Sequence, residues 1–212
     1  LSFTGLGDVT GYRRELDLDT GVSRVSFSAG GVDHVREAFS SNADGVIVLR
    51  CTSSKPGGIS FTATLTREAD SATSVEGTRR VVMAAQAIPH SPRHPDEAKT
   101  GVKFQCIAEV RATGGKTTAS GDRVTVTNAD AVTILIAVST SYREKDFAAR
   151  CRSYLTAAKA DYAKLHAAHV ASHQAMFRRV KLDLGGSADL AAVPTDERLK
   201  RVAAGQPDPG LE

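Results

Sequence analysis

The sequence has no tryptophan, few other aromatic residues and no long apolar segment. Phenylalanine and tyrosine together make up 5 % of the 212 residues. A free-standing sugar-binding module usually stacks sugars on exposed aromatic faces, so this scarcity argues against such a module. No apolar run approaches the ~18–20 residues that a membrane-spanning helix needs. We therefore expect no membrane partner.

Clustered basic charge is also missing. The chain carries 27 basic and 24 acidic residues, a net charge of +3, and they are scattered along its length. A nucleic-acid-binding surface requires basic residues concentrated in a patch or stripe. No nucleic-acid partner is expected.

Cysteine is scarce and unpaired in sequence. Cys51, Cys106 and Cys151 are an odd number, lie far apart and form no CxxC or similar metal-binding spacing. Each sits in an apolar pattern, so we expect buried free thiols and no metal cofactor. The chain begins at Leu1 without a signal peptide, which we interpret as a processed or partial chain, and Leu211-Glu212 is either native or an added remnant.

What the sequence does contain, before residue 142, is a series of short strands. Apolar residues alternate with polar ones, and glycine-rich turns separate the segments. The predicted strands are 12–19, 22–29, 32–41 (with a bulge), 46–49, 59–67, 79–88, 102–111, 123–127 and 131–139. About nine strands joined by hairpins, with no crossover helix between them, predict an antiparallel sandwich.

Two stretches resemble functional motifs without satisfying them. Gly115-Lys116-Thr117 is typical of a phosphate loop, but Val110 occupies the place of an essential glycine and a strand follows, so we predict a hairpin tip. Glu15, Asp17 and Asp19 share one strand face. Acid–base chemistry is one interpretation, and a solvated strand face is the one we favour.

The longest irregular segment is the loop 88–101. Three prolines exclude regular structure there, and His90 and His94 lie among them. Long loops in compact domains often carry function. His90 and His94 are therefore weak candidates for substrate binding, whereas a metal site is not expected because no helix aligns the two rings.

After Tyr142 the apolar period changes from two to 3.6, which predicts helices. Asp146 is the predicted N-cap of the first helix. The first apolar stripe is Phe147, Cys151, Tyr154, Leu155 and Ala158; the second is Tyr162, Leu165, His169, Met176 and Phe177.

Three histidines, His166, His169 and His173, share one side of the second helix. Metal ligation by the last two is one interpretation; histidines hydrogen-bonded between packed layers are the expected one. An extended run at 180–184 follows, and then a helix with Thr195 as its predicted N-cap.

Several blocks together resemble glycoside hydrolase family 95, whose members are chiefly bacterial and plant α-L-fucosidases. The blocks are YRRELDLDTG, VSRVSF, REAFSS, HVASHQAMFRRVKLDLGG, PTDERL and DPGLE, in this order. One departure is Ser172, where an acidic residue is expected. The resemblance covers nearly the whole chain.

The resemblance implies a mainly β fold: part of an antiparallel β super-sandwich (residues 1–142), followed by an α-helical linker (143–212) that leads to an (α/α)6 catalytic barrel. It implies inverting hydrolysis of terminal α-L-fucosyl or α-L-galactosyl linkages, without a metal, by two carboxyl groups about 6.5–9.5 Å apart in the barrel. We expect the chain to end where that barrel begins. No catalytic residue is therefore assigned here, and no cofactor.

The main hypothesis is thus a non-catalytic N-terminal part whose partners are its own barrel and the parent enzyme's oligosaccharide substrate. A secreted or periplasmic location is the expectation for that parent. The alternatives are a stand-alone carbohydrate-binding or adhesion sandwich, and the equivalent domain of a disaccharide phosphorylase or glucosidase. Apolar helix stripes left without a barrel predict a dimer of the fragment.

Overall fold

The structure, a computed structural model, describes residues 1–87, 101–182, 188–208 and 210. It divides into two compact units, Leu1–Met176 and Phe177–Glu212. The predicted fold class is confirmed, because the first unit contains two antiparallel sheets followed by helices.

The described strands are β1 (Ser2–Phe3), β2 (Val9–Asp17), β3 (Val22–Ala29), β4 (Val32–Ser41), β5 (Val46–Ser53), β6 (Ile59–Thr64), β7 (Ser71–Glu76), β8 (Arg80–Gln86), β9 (Lys103–Thr113), β10 (Lys116–Ser120), β11 (Arg123–Ala129) and β12 (Ala131–Thr140). The described helices are α1 (Phe147–Ala157), α2 (Tyr162–Phe177), α3 (Ala188–Ala191) and α4 (Thr195–Ala203).

The larger sheet has eight strands in the order β2-β3-β4-β5-β12-β9-β8-β7, and the smaller has four in the order β1-β6-β11-β10. One apolar core lies between the sheets and is centred on Phe61, Val110 and Ile134. A second core lies where α1 and α2 cover the other face of the larger sheet, around Leu135 and Leu155. The larger sheet is therefore a middle layer. Its central strands are buried on both faces, which explains their continuous apolar runs.

Strand positions agree with the sequence except at three places. The strand β7 was not predicted, β1 and the first residues of β2 lie in residues 1–11, where the sequence pattern predicts a strand end and a turn, and β10 extends the predicted hairpin tip. The bulge predicted in 32–41 is wrong, since β4 keeps one register with both neighbours. Register shifts lie instead in β2, between Thr10 and Arg13, where Gly11 has a positive φ, and in β11, between Val126 and Ala129.

One predicted helix cap is confirmed and the other is wrong. The Asp146 carboxylate accepts a hydrogen bond from the Ala149 amide at 3.0 Å and caps α1. At α4 the N-cap residue is Pro194, and no side chain caps the helix. Thr195 is already the first helical residue, because proline favours the extended conformation that precedes a helix and cannot continue a preceding one.

The second unit consists of α3, α4 and the segments that flank them. Arg198 donates from Nε and Nη2 to the Asp208 carboxylate at 2.7 and 2.5 Å, which joins the PTDERL and DPGLE blocks. This contact holds the pKa of Asp208 below its usual range. In the described part of the predicted extended run, Val180 and Leu182 are exposed and belong to no strand. None of the described helices has the length and apolar character that a bilayer crossing requires.

Candidate functional site

A row of polar and charged side chains crosses the helix-covered face of the larger sheet. The register places at least one member on every strand at nearly the same level, and two on β9. In strand order the row is Glu15, Arg24, Glu37, Arg50, Thr133, Arg111 with Glu109, Arg80 and Glu76. We call these nine residues the charged row. Residues directly opposite each other on neighbouring strands interact, so the alternation of sign from Glu15 to Arg50, and again from Glu109 to Glu76, is favourable.

Glu109 is the buried centre of the row, with only 2 % of its side chain exposed. Arg80 Nε donates to one carboxylate oxygen at 2.7 Å, and Arg111 Nε donates to the other at 2.8 Å. Burial alone would raise the pKa of Glu109, but the two guanidinium groups outweigh it and hold that pKa below its usual value. The residue is therefore ionised and fully paired.

The charged row also holds the helices. Arg111 Nη1 donates to the Ala158 carbonyl at 2.8 Å, at the C-terminal end of α1, where a cation complements the helix dipole. Arg152 of α1 pairs with Glu76 at 3.0 Å. The Tyr162 hydroxyl at the start of α2 donates to Glu37 at 2.7 Å.

Further along, α2 is held by the turn between β2 and β3. Gln174 Nε2 donates to the Asp19 carboxylate at 2.8 Å, and His173 Nε2 lies 2.8 Å from the Leu18 carbonyl. His169 stacks on Phe39 with ring centroids 4.6 Å apart. The predicted hydrogen bond between layers is thus confirmed for His173. It is wrong for His169, whose buried Nε2 has no hydrogen-bond partner in the described part of the chain.

A cleft of about 500 Å³ opens between the edge of the sheet and α2. Its lining includes the sequence candidates Glu15 and Asp17, together with Glu37, Arg24 and His166. Two of the carboxylates are already engaged, Glu15 by Arg13 at 2.9 Å and Glu37 by Arg24 at 2.9 Å. The cleft presents hydrogen-bonding groups to a polar ligand.

The pKa values of the carboxyl groups are shifted in the wrong direction for an acid catalyst. Glu76, Glu109, Asp122 and Asp208 each contact arginine, and their pKa values are lowered. A glycosidase acid must instead stay protonated near neutral pH, which requires a raised pKa.

The two loop histidines, His90 and His94, lie outside the described residues, as does the loop 88–101 except for Gly101. Their role in substrate binding stays a prediction. Within the described ranges, no group of three His, Cys, Asp or Glu side chains converges as metal ligands.

Sequence reasoning missed the charged row. Its signal was an apolar residue, Ile107, on the same strand face as Glu109 and Arg111 in the segment KFQCIAEVR, which indicates that this face is covered. A charge at a position predicted to face a core requires a partner.

Residues 1–145 match the family model described as "Glycosyl hydrolase family 65, N-terminal domain". The chain belongs to this family of glycosyl hydrolase N-terminal domains. Residues 161–212 of the same chain match the model described as "Glycosyl hydrolase family 95 catalytic domain". This second match begins at the start of α2, inside the segment 143–212 that the sequence predicted as a linker; the domain boundary after residue 142 stays a prediction.

Among curated proteins, this glycosyl hydrolase domain is similar to alpha-L-fucosidase 2 of Arabidopsis thaliana, with 32 % identity over 229 aligned positions. The alignment covers 94 % of the chain and 27 % of the relative, so the chain spans about a quarter of that protein's length. The resemblance to family 95 is confirmed by this relative and by the second family model.

Among solved structures, the chain is similar to a protein described as a kojibiose phosphorylase from human microbiome. The TM-score is 0.62 at 10 % identity, over 85 % of this chain and 27 % of the other. At this identity the likeness concerns the fold, which is the sandwich followed by helices.

Proposed function

We propose that the chain is the non-catalytic N-terminal part of a longer α-L-fucosidase-type glycoside hydrolase, in which it supports the catalytic barrel. The parent enzyme hydrolyses terminal α-L-fucosyl or α-L-galactosyl linkages with inversion. The relative with 32 % identity supports the fucosidase assignment. The direction of the carboxyl pKa shifts supports the non-catalytic role of the described residues.

One observation carries the supporting role. Residues 161–176 lie inside the stretch 161–212 that matches the catalytic-domain model, yet they pack on the sheet that lies within the N-terminal match. Leu165 and His169 are buried there, and Tyr162, His173 and Gln174 hydrogen-bond to strand and turn residues. The sheet thus holds α2 in place. In the proposed parent enzyme the barrel continues from this helix, so the sheet also supports the barrel.

The test uses the longer enzyme that contains this chain. Tyr162→Phe removes one bond between α2 and the charged row, and we expect earlier thermal inactivation with an unchanged KM for a fucosyl substrate. Lys200→Gln, on exposed α4, is the matched control and should change neither quantity. A large rise in KM for Tyr162→Phe without loss of stability would instead indicate a direct role in substrate binding.

A second candidate is the equivalent domain of a disaccharide phosphorylase, favoured by the fold of the kojibiose phosphorylase relative. The two differ in one measurement on the longer enzyme. A phosphorylase requires inorganic phosphate and releases a sugar phosphate, whereas the proposed hydrolase turns over in phosphate-free buffer and releases free fucose.

The predicted dimer of the chain remains a proposal. Cys151, Leu155 and Ala158 of α1 and Leu165 of α2 are buried against the sheet, whereas Met176 is 56 % exposed. A monomeric mass by light scattering at high concentration would count against the dimer.

A further inference from the structure

Arg36, on the face of the larger sheet opposite the charged row, has a different environment from the paired arginines. Its guanidinium carbon lies 3.7 Å from the ring centroid of Phe3 and 4.9 Å from that of Phe27. Phe27 in turn stacks on the buried His34 at 5.0 Å. The guanidinium carbon thus lies close to two aromatic rings, which accept no conventional hydrogen bond from its N–H groups.

Among the residues that the structure describes, no side chain or carbonyl accepts a hydrogen bond from those N–H groups. In the described ranges, Arg36 has no salt bridge or hydrogen bond to a side chain or carbonyl, whereas neighbouring sheet arginines do. Burial is the main cause that lowers the pKa of Arg36, yet a guanidinium stays cationic at neutral pH. A partly buried cation with unused donors is costly unless an anion or water meets it.

A cavity lies at this position. It is partly open to solvent and has a volume of about 300 Å³, at the lower end of the range of small-molecule sites. Apart from Arg36 its walls are largely apolar, with side chains that include Leu1, Phe3, Val25, Ala38, Leu49 and Cys51. Glu37 and Arg50 also line it, but their charged ends lie on the opposite face of the sheet, where they pair with Arg24 and Thr133. Among the side chains that line the cavity, Arg36 thus supplies the cation available to a ligand.

We propose that this cavity is a binding subsite for a small ligand that carries a carboxylate, held by the Arg36 fork. Arginine matches a planar carboxylate with two parallel hydrogen bonds. The apolar walls suit the carbon-bearing face of a ring, and the class we favour is a sugar acid. That choice of a sugar rests on the proposed glycosidase function, whereas the carboxylate subsite itself does not.

The test is a titration of the 212-residue chain, followed by isothermal calorimetry or amide NMR shifts, with three probes. Glucuronate carries sugar and carboxylate, glucose lacks the charge, and benzoate lacks the sugar. We expect glucuronate to bind and glucose to bind at least about tenfold more weakly, the loss of a charged bidentate contact. Binding of benzoate as tight as that of glucuronate would support the carboxylate subsite and overturn the sugar-acid class, leaving the fucosidase proposal untouched.

Variants locate the site. Arg36→Lys keeps the charge but loses the two parallel N–H donors of the guanidinium, and should weaken glucuronate binding roughly tenfold. Ala38→Leu fills the cavity without touching the guanidinium and should also abolish binding, so a folding defect in one variant does not leave the question open. Arg123→Lys, an exposed arginine on the other sheet, is the control. Unchanged glucuronate binding in both cavity variants, or equal binding of glucose, would overturn the proposal.

Discussion

Substitution of Glu109 is the sharpest test of the charged row. Glu109→Gln keeps the size of the side chain but removes its charge. One of the two arginines then faces the amide NH₂ group, which cannot accept its hydrogen bond. Breaking a buried ion pair costs about 3–5 kcal/mol. Arg80 and Arg111 keep other partners, Glu76 and the Ala158 carbonyl, and are about a quarter exposed. We therefore expect a loss of roughly 2–3 kcal/mol in the free energy of unfolding.

For a chain of this size, each kcal/mol changes the melting temperature by about 2–4 °C, so the expected decrease is roughly 4–12 °C. Calorimetry or circular dichroism measures it. Glu15→Gln is the control at the exposed end of the row, where a surface ion pair contributes less than about 1 kcal/mol.

The pH dependence adds a second signature. The pKa of Glu109 is lower in the folded protein than the value of about 4.3 for a free side chain. Its ionisation therefore stabilises the fold above that value, and the stabilisation is lost as pH falls toward the folded pKa. The difference between wild type and Glu109→Gln should shrink below about pH 4. A melting temperature within 1–2 °C of wild type at pH 7, or a difference that grows in acid, would refute the reasoning.

Three other substitutions test the joint between sheet and helices. Gly45→Ala should destabilise the chain by more than Gly31→Ala. Both positions have a positive φ, but only at Gly45 would a Cβ lie 2.6 Å from the Tyr154 ring. Comparing the urea midpoints of the two variants isolates that contact, and equal midpoints would contradict the prediction. Asp146→Ala should cost about 1 kcal/mol through loss of the α1 cap, measured by urea unfolding, and no loss would mean that the cap is not formed. Tyr162→Phe should cost about 1–2 kcal/mol, since the hydroxyl bonds to a charged group; an unchanged melting temperature would show that solvent replaces this bond.

Local features of the fold could be predicted from the sequence. Alternating segments became strands, and the change of period after Tyr142 became helices, because both patterns depend on which side chains a single element buries. Hairpin pairing followed from turn chemistry, which explains why Arg24 and Glu37 come together only 13 positions apart.

Long-range pairing could not be predicted. Arg50 and Thr133 are 83 positions apart, and their contact depends on β12 inserting between β5 and β9. The same insertion brings the members of the charged row together. No single member could therefore predict the row from the sequence. The prediction of Thr195 as an N-cap was also wrong, because the preceding Pro194 occupies the N-cap position. The histidine candidates of the loop 88–101 lie outside the described residues, and their role rests on the sequence alone.

The most direct test of the central proposal is a hydrolysis assay on the 212-residue chain itself, with an α-1,2-fucosylated oligosaccharide as substrate. If the chain is a non-catalytic domain, fucose release equals that of a buffer blank at every protein concentration. Release that rises in proportion to chain concentration, and that persists after repurification, would contradict the proposal and place a catalytic pair within these residues.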